Sequence, residues 1–470
     1  MTTAPALPLD ALAQRLRLLL AEGREVASVG PVLVSAAVPV PPLDAVTLFE
    51  DATGERFLWE HPSEGFSLVG IGAAARIAAS GPGSLGQVGD RWRELAARAV
   101  TETLAPCPIP GPVGLGGFAF DPAGPRDLDW EGFPDALLLV PRFLFVSDGD
   151  SSWLTVSAAV TPECRPGDVA ASLSAELRGI LRGGTRVHGE APGDGVTFRD
   201  EVGAEVWRSA VVAVVEEVRS GAIEKVVLAR RVRAWSERPI EAGAVLRRLR
   251  EGYPRCTVFA FARGDACFLG ATPERLVRLE GRAVRADPLA GSAPRGTTEE
   301  EDQRLGEALL ADQKERHEHA LVVQALREAL APLCSSLCVG ETPAILRMPN
   351  VQHLHTPIEA VLGGEASVLE LVERLHPTPA AGGLPRDAAL SLIRRYEPFD
   401  RGWYAGPVGW VDGGGNGEFA VAIRSALLRG HEALLYAGCG IVAGSDPERE
   451  YAESCLKLRP MRWALNGRPT

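Results

Sequence analysis

The alternation of apolar and polar positions changes character along the chain. Residues 8–22 repeat their leucines at helical spacing and predict an amphipathic helix. From about 30 to 190, short apolar runs bounded by Gly and Pro predict strands: VGPVLVSAAVPV, RFLWEHP, FSLVGIGAAARIAAS, VGLGGFAF, DALLLVPRFLFVSD and SSWLTVSAAV. One helix, VGDRWRELAARAVTETL, interrupts them. The polar, Gly-rich stretch 183–199 predicts a linker. Residues 203–221 then predict an amphipathic helix ending at a glycine. It delivers the chain into GAIEKVVLARR, an apolar strand with a lysine at its head. Alternation puts Lys225, Val227 and Ala229 on one face, so the ammonium shares a surface with Val and Ala. Such an amine is either a solvated strand end or a group held in a site.

Residues 257–289 read as a meander of strands, and 301–333 as one long helix. Strands and one helix follow to 397. A second meander runs through WYAGPVGWV, the nearly all-glycine turn DGGGNG, EFAVAIRSALLRG and HEALLYAGCGIVAG. The last helix opens with Asp446-Pro447, an N-cap followed by proline in the first turn. Strands in runs with helices set between them predict an α+β fold with largely antiparallel sheets. The boundaries this suggests are an N-terminal helix or extension over 1–30, an N-terminal half over 31–199 and a second region over 200–465. The stretch 183–199 is not expected to part independent domains.

Composition narrows the function classes. The chain has 470 residues, 46% hydrophobic and 23% charged, ordinary for a soluble enzyme. A net charge of −12 argues against a nucleic-acid binder. An anionic substrate would therefore need individually placed cations or a metal. The eight cysteines are scattered without a CxxC, which predicts reduced thiols rather than a zinc site or disulfides. The N-terminus lacks the basic start and long apolar core of a signal peptide, and no run approaches the roughly 20 apolar residues of a membrane span. A cytoplasmic protein without a membrane partner is expected.

Several stretches carry chemistry. Glu315 and Glu318, and Glu450 and Glu453, are carboxylate pairs at i, i+3, each pair on one helix face. Carboxylates suit Mg²⁺, although a lone pair at this spacing is more often a solvated surface. Glu274 in LGATPERL follows Thr-Pro at a break between strands; taken alone it reads as an exposed turn carboxylate. His353 and His355 in NVQHLHTP share one strand face. LHPTPAAGGLP is a Pro/Gly loop able to approach a ligand closely. Arg424 sits inside the apolar run VAIRSALL, where an unpaired guanidinium would be costly. Gly438 and Gly440 of YAGCGIV lie two apart on one strand face and leave room for a ligand or for tight packing.

The order of these stretches carries more than any one of them. KVVLAR, ATPERL, PLAGSAPRG, ERHEHALV, HLHTP, LHPTPAAGGLP, FDRGWYAGPVGW, GEFAVAIRSAL, YAGCGIV and EREYAESCLKL follow one another from 225 to 458. This series resembles the chorismate-utilising enzymes, which include isochorismate, salicylate, anthranilate and aminodeoxychorismate synthases. The resemblance is strong over 203–460 and looser over 30–190. It implies the large chorismate-binding fold typified by anthranilate synthase component I, with both halves of the chain contributing sheets. Lys225 sorts the branches: the amine-transferring members carry Gln there, while those that add water carry Lys. HPTPAAGGLP also favours the isochorismate synthase branch. Tyr404 does not discriminate, and salicylate synthases share the lysine.

The resemblance implies a Mg²⁺-dependent isochorismate synthase acting on chorismate as a monomer, with no glutaminase subunit. It casts Lys225 as the base that activates water and Glu274 as the acid that assists loss of the C4 hydroxyl. Glu318 and Glu453 match direct metal ligands, and Glu315 and Glu450 match positions that hold the metal's waters. Lys457 falls near the ring carboxylate. Arg424, Tyr404, Gly438 and Gly440 match the grip on the pyruvyl carboxylate. His353 lies near the ring, and Gly291 and Ser292 form a wall under the substrate. The rival readings are a salicylate synthase, an anthranilate-type subunit and a silent chorismate-binding homologue. The retention of Lys225, Glu274, Glu318 and Glu453 argues against the last. Whether the product feeds menaquinone or siderophore synthesis is open at this level.

Overall fold

Strands from opposite ends of the chain pair with each other. The computed structural model describes residues 9–27, 30–182 and 195–467. One sheet of thirteen strands runs from Val196–Asp200 through Lys225–Ser236, Glu432–Ile441, Ser425–Arg429, Ala266–Thr272 and Thr257–Arg263. It continues without a gap into Arg56–His61, Phe66–Ile71, Phe143–Asp148, Ser151–Val160, Val32–Val40 and Val100–Thr103. A nine-stranded sheet likewise joins Pro407–Asp412 to Val113–Phe118. A three-stranded sheet holds Leu289–Pro294, Val351–His355 and Ala344–Arg347. Among the described residues pairing is antiparallel except between Val32–Val40 and Val100–Thr103. This is the α+β arrangement that the runs of strands predict.

The two large sheets face each other across one apolar core. Trp59 and Phe261 from the first meet Phe133 and Trp403 from the segments beside the second. Trp403 lies edge-on to both Phe133 and Phe261, with centroids 5.2 Å apart in each case. On its other face the larger sheet is covered by the helices Leu9–Val26, Ala45–Asp51, Pro166–Arg182, Ala242–Gly252 and Pro447–Asn466, which bury their apolar stripes.

The structure corrects several sequence expectations. The helix expected over 88–104 spans Ser84–Ala97, and the β-branched run that follows forms the strand Val100–Thr103. The region 30–190 holds two further helices, Ala45–Asp51 and Pro166–Arg182, and Ala242–Gly252 is another that the pattern did not predict. Between 334 and 397 there are two helices, Val368–Leu375 and Arg386–Tyr396, instead of one. The end of the expected linker is the strand Val196–Asp200; residues 183–194 lie outside the described residues. The long helix over 301–333 is two helices, Glu299–Ala311 and Gln313–Leu330. Asp312 divides them because its extended backbone leaves the helix while its side chain accepts from the Lys314 and Glu315 N–H groups.

EFAVAIRSALLRG is also two strands. Gly417–Val421 belongs to the nine-stranded sheet and Ser425–Arg429 to the thirteen-stranded one. The segment it pairs with does the reverse: Ala266–Thr272 lies in the larger sheet and Arg275–Glu280 in the smaller. Two paired strands thus cross from sheet to sheet side by side. The crossing is tied by Thr272 Oγ1 donating to the Val421 carbonyl at 2.7 Å and Val421 N donating to the Glu274 carbonyl at 3.0 Å.

Candidate active site

A recess opens where these strands part. Polar side chains converge on it from both sheets, as they do in small-molecule sites. Glu274 and Arg424 line it from the two crossing segments, and Lys225 lines it from the head of its strand. Arg424 is therefore not inside a strand, as its apolar neighbours suggested, but at the corner, with φ of 53°. A non-glycine residue held there costs roughly 1–3 kcal/mol. The burial of Glu274 pushes its carboxyl up to about 7, against the pull of Lys225, Arg424 and Lys457. It is neutral for much of the time near neutral pH.

Lys225 is 1% exposed, and its Nζ lies 2.9 Å from Glu318 Oε1. The pair exists because residue 440 is glycine. Strand register sets Val227 opposite Gly440, and a Cβ there would lie 2.1 Å from Glu318 Oε1 and 2.7 Å from Lys225 Cε. Two positions along, a Cβ on Gly438 would meet the Tyr404 hydroxyl at 3.2 Å.

Beside the recess, the helices Gln313–Leu330 and Pro447–Asn466 bring four carboxylates together. Asp446 caps the second helix by accepting from Glu448 N and Arg449 N. Lys457 Nζ lies 2.7 Å from Glu453 Oε1 and donates to the Gly438 carbonyl at 2.9 Å. Burial opposes ionisation of Glu453, but Lys457 outweighs it and holds the carboxyl below its ordinary range. Burial and the nearby Glu453 push Glu450 up to about 7. Glu450 Oε2 is buried without a hydrogen bond of normal geometry. Ligand atoms of Cys439, Glu450 and Glu453 lie within 4.8 Å of one another. An orphaned carboxylate oxygen beside the Glu453 carboxylate suits a hard divalent cation such as Mg²⁺, whereas the Cys439 thiol, which donates to the Glu450 carbonyl, does not.

The wall opposite is built by the three-stranded sheet. A bulge between Ala290 and Ser292 puts Gly291 at φ 74° and turns Ser292 N onto Glu315 Oε2 at 3.2 Å. His353 Nε2 is 3.2 Å from Arg424 Nη2, and its Nδ1 is 3.0 Å from the Gly291 carbonyl. Guanidinium only donates and carbonyl only accepts, so Nδ1 carries the proton and Nε2 accepts. Burial, with Arg424 beside it, pushes His353 down to about 3. This neutral imidazole orients Arg424 and has no proton to give through Nε2. Tyr404 stacks on Tyr436, with centroids 4.8 Å apart, and burial pushes its phenol up to about 12.

Of the fourteen residues singled out in the sequence, eleven line the recess. The other three, Glu315, Glu450 and Glu453, lie behind it, joined through Ser292, Lys314 and Lys457. His355 turns away and pairs with Asp287 at 2.9 Å. Ala380 and Ala381 bring the Pro/Gly loop to the recess. Sequence reasoning missed Lys314 and Arg401. The buried Arg401 forks onto Glu397 and donates to the carbonyls of Ala381 and Val227. It thereby ties the loop to the lysine strand. Glu397 ends the helix Arg386–Tyr396 and Arg401 follows in a loop, so no helical spacing announced the pair.

This fold recurs in known proteins. Residues 21–466 match the family model described as chorismate binding enzyme, so the chain belongs to that family. It is 41% identical over 447 residues to a Pseudomonas aeruginosa protein named salicylate biosynthesis isochorismate synthase, covering 93% of this chain and 91% of that one. It is 36% identical over 445 residues to isochorismate synthase MenF of Bacillus subtilis, covering 93% and 94%. The solved structure of MenF from Escherichia coli, titled a menaquinone-specific isochorismate synthase, matches with a TM-score of 0.78 at 28% identity, covering 97% of this chain and 100% of that one. Anthranilate synthase component I from Streptococcus pneumoniae TIGR4 shares the fold, with a TM-score of 0.69 at 22% identity, covering 84% and 92%.

Proposed function

We propose that the protein is an isochorismate synthase, converting chorismate to isochorismate with Mg²⁺. The observation that carries this is the placing of Lys225 and the buried Glu274 on the lining of one recess that also holds Arg424 and Lys457. The relatives named isochorismate synthase, at 36% and 41% identity over nine tenths of the chain, support it.

In this reading Lys225 accepts a proton from a water that bonds to ring C2. The ring double bonds shift, and the C4 hydroxyl leaves as water with the proton of Glu274. One water enters and one departs, so the reaction is an isomerisation. Arg424, held by His353, grips the pyruvyl carboxylate with the Tyr404 hydroxyl and the backbone at Gly438 and Gly440. Gly291 and Ser292 support the ring from below, and Lys457 lies toward the ring carboxylate. Glu318 and Glu453 would hold Mg²⁺ directly, with Glu315 and Glu450 holding its waters. The metal would neutralise and anchor the ring carboxylate.

Water as nucleophile removes the need for a glutaminase subunit. The same reading has the chain acting as a cytoplasmic monomer, consistent with eight free thiols and with no helix long and apolar enough to cross a membrane among the described residues. It also treats 31–199 and 200–465 as halves of one catalytic body. The test is to incubate the purified protein with chorismate, with and without Mg²⁺, and resolve the products by chromatography. Isochorismate formed only with metal is expected. Salicylate with matching pyruvate would move the protein to the lyase branch, and no conversion would overturn the reading.

A further inference from the structure

Lys314 has no part in the chemistry above, yet its ammonium lies where the carboxylates converge. Nζ is 2.9 Å from Glu315 Oε1, 3.0 Å from Glu450 Oε1 and 3.7 Å from Glu318 Oε2. The backbone beneath it is fixed, because Lys314 N donates to the Asp312 cap at 2.9 Å. Its side chain is 25% exposed, so it has solvent to move into, unlike Lys225 at 1%. Three carboxylates thus share one ammonium, and all three belong to the set that the proposed function assigns to the metal and its waters.

We propose that Lys314 is the resident cation of this cluster. It holds Glu315 and Glu450 in position when no metal is bound, and a divalent cation must take those oxygens from it. Metal affinity is then set by competition between an internal lysine and the ion. The proposal rests on the assignment of the metal to Glu315, Glu318, Glu450 and Glu453.

Charge counting gives the competition a purpose. Lys314 adds one positive charge beside the carboxylates whether or not metal is bound. In the metal-free site it offsets part of their charge and so reduces their pull on a cation. In the loaded site the same charge adds to that of the metal and attracts a dicarboxylate. Lys314 therefore weakens the metal on its own and strengthens the pull of the loaded site on its substrate.

The test is calorimetric titration of the metal-free protein with Mg²⁺ in the absence of chorismate. Lys314→Met is expected to bind Mg²⁺ about tenfold more tightly than wild type, since a charge about 3 Å from the ligands has been removed. It is also expected to melt at a lower temperature without metal, with the gap closing at saturating Mg²⁺. Lys314→Arg, which keeps the charge, should not show the tightening. Lys314→Gln carries the same expectation as methionine and serves if the latter does not fold. Unchanged or weaker Mg²⁺ binding in a folded, charge-removed variant overturns the proposal. Glu318→Gln separates the two levels. If it binds Mg²⁺ as wild type does, the metal assignment itself fails. If it binds weakly while Lys314→Met equals wild type, only the role of Lys314 fails.

Discussion

Glu274 shows how burial, and not residue type, decides a protonation state. Its carboxyl stands at about 7 in the fold against an ordinary 4.5. Below pH 4.5 it is protonated both folded and unfolded, and folding is not penalised. As pH rises from 4.5 to about 7, the unfolded chain releases its proton first and stability falls; the loss is complete above 7. The difference corresponds to about 3 kcal/mol at most. Glu274→Gln removes this titration, so the variant is expected to lose turnover yet to gain stability over wild type above pH 7. Urea unfolding at pH 5 and pH 8 checks this; equal pH dependence in both proteins would contradict it. Wild-type turnover should decline above pH 7 as the acid is lost. Lys225→Ala is expected to lower turnover by roughly 10²- to 10⁴-fold, with chorismate affinity changed only a few-fold, measured by single-turnover kinetics and equilibrium binding. Lys225 stood out because it violates its local pattern, an amine heading an apolar strand, whereas Glu274 taken alone read as an exposed turn carboxylate and was singled out only through the family resemblance. Lys314 violates nothing. A lysine in the first turn of a polar helix segment looks like any surface lysine until the second helix, more than 130 residues later, brings Glu450 to it.

At the scale of elements, local signals served well where one residue sets a boundary and poorly where the partner lies far away. Asp446-Pro447 marked its helix start, and Gly221 the end of the helix before the lysine strand. Asp312 was read through, because a helical hydrophobic period continues on both sides of it and only the backbone shows the break. That break matters to the site, since it puts Lys314 and Glu315 in a first turn. Asp312→Ala is expected to cost about 1 kcal/mol, measured by urea unfolding, and to raise the Mg²⁺ concentration needed for half-maximal turnover. The crossing of paired strands between sheets was likewise invisible, because 257–289 and 418–430 alternate as any meander does. Only pairing shows that each segment changes sheet at Glu274 or Arg424. The register beside this crossing is equally strict. Gly440→Ala places a methyl 2.1 Å from Glu318 Oε1, where only side-chain ends need to move. The variant is expected to fold with a melting temperature near that of wild type but to lose most turnover, because the Lys225–Glu318 contact is displaced.

At the scale of the molecule, the two large sheets make a claim about cooperativity. The strand Thr257–Arg263 has Ala266–Thr272 on one edge and Arg56–His61 on the other, and Pro407–Asp412 similarly depends on Val113–Phe118. A fragment of residues 200–465 would expose both of these long apolar edges and one side of the aromatic core. Unpaired edges of this kind aggregate. That fragment is expected to be insoluble or unfolded when produced alone, and to regain structure when produced together with residues 1–199. The intact chain should unfold in one transition, seen alike by circular dichroism and by loss of chorismate turnover. Trp403 offers a sharper probe, because it packs on Phe133 and Phe261 and donates to the Pro134 carbonyl at 2.8 Å. Trp403→Ala should destabilise by roughly 3–5 kcal/mol. If the halves are one cooperative body, both measures shift by the same amount; if they are separable, the turnover transition moves and a second, unshifted transition remains in the dichroism. The site lies where strands from one sheet enter the other, so only the single-body outcome leaves Glu274, Arg424 and Lys225 facing one another until the whole chain unfolds.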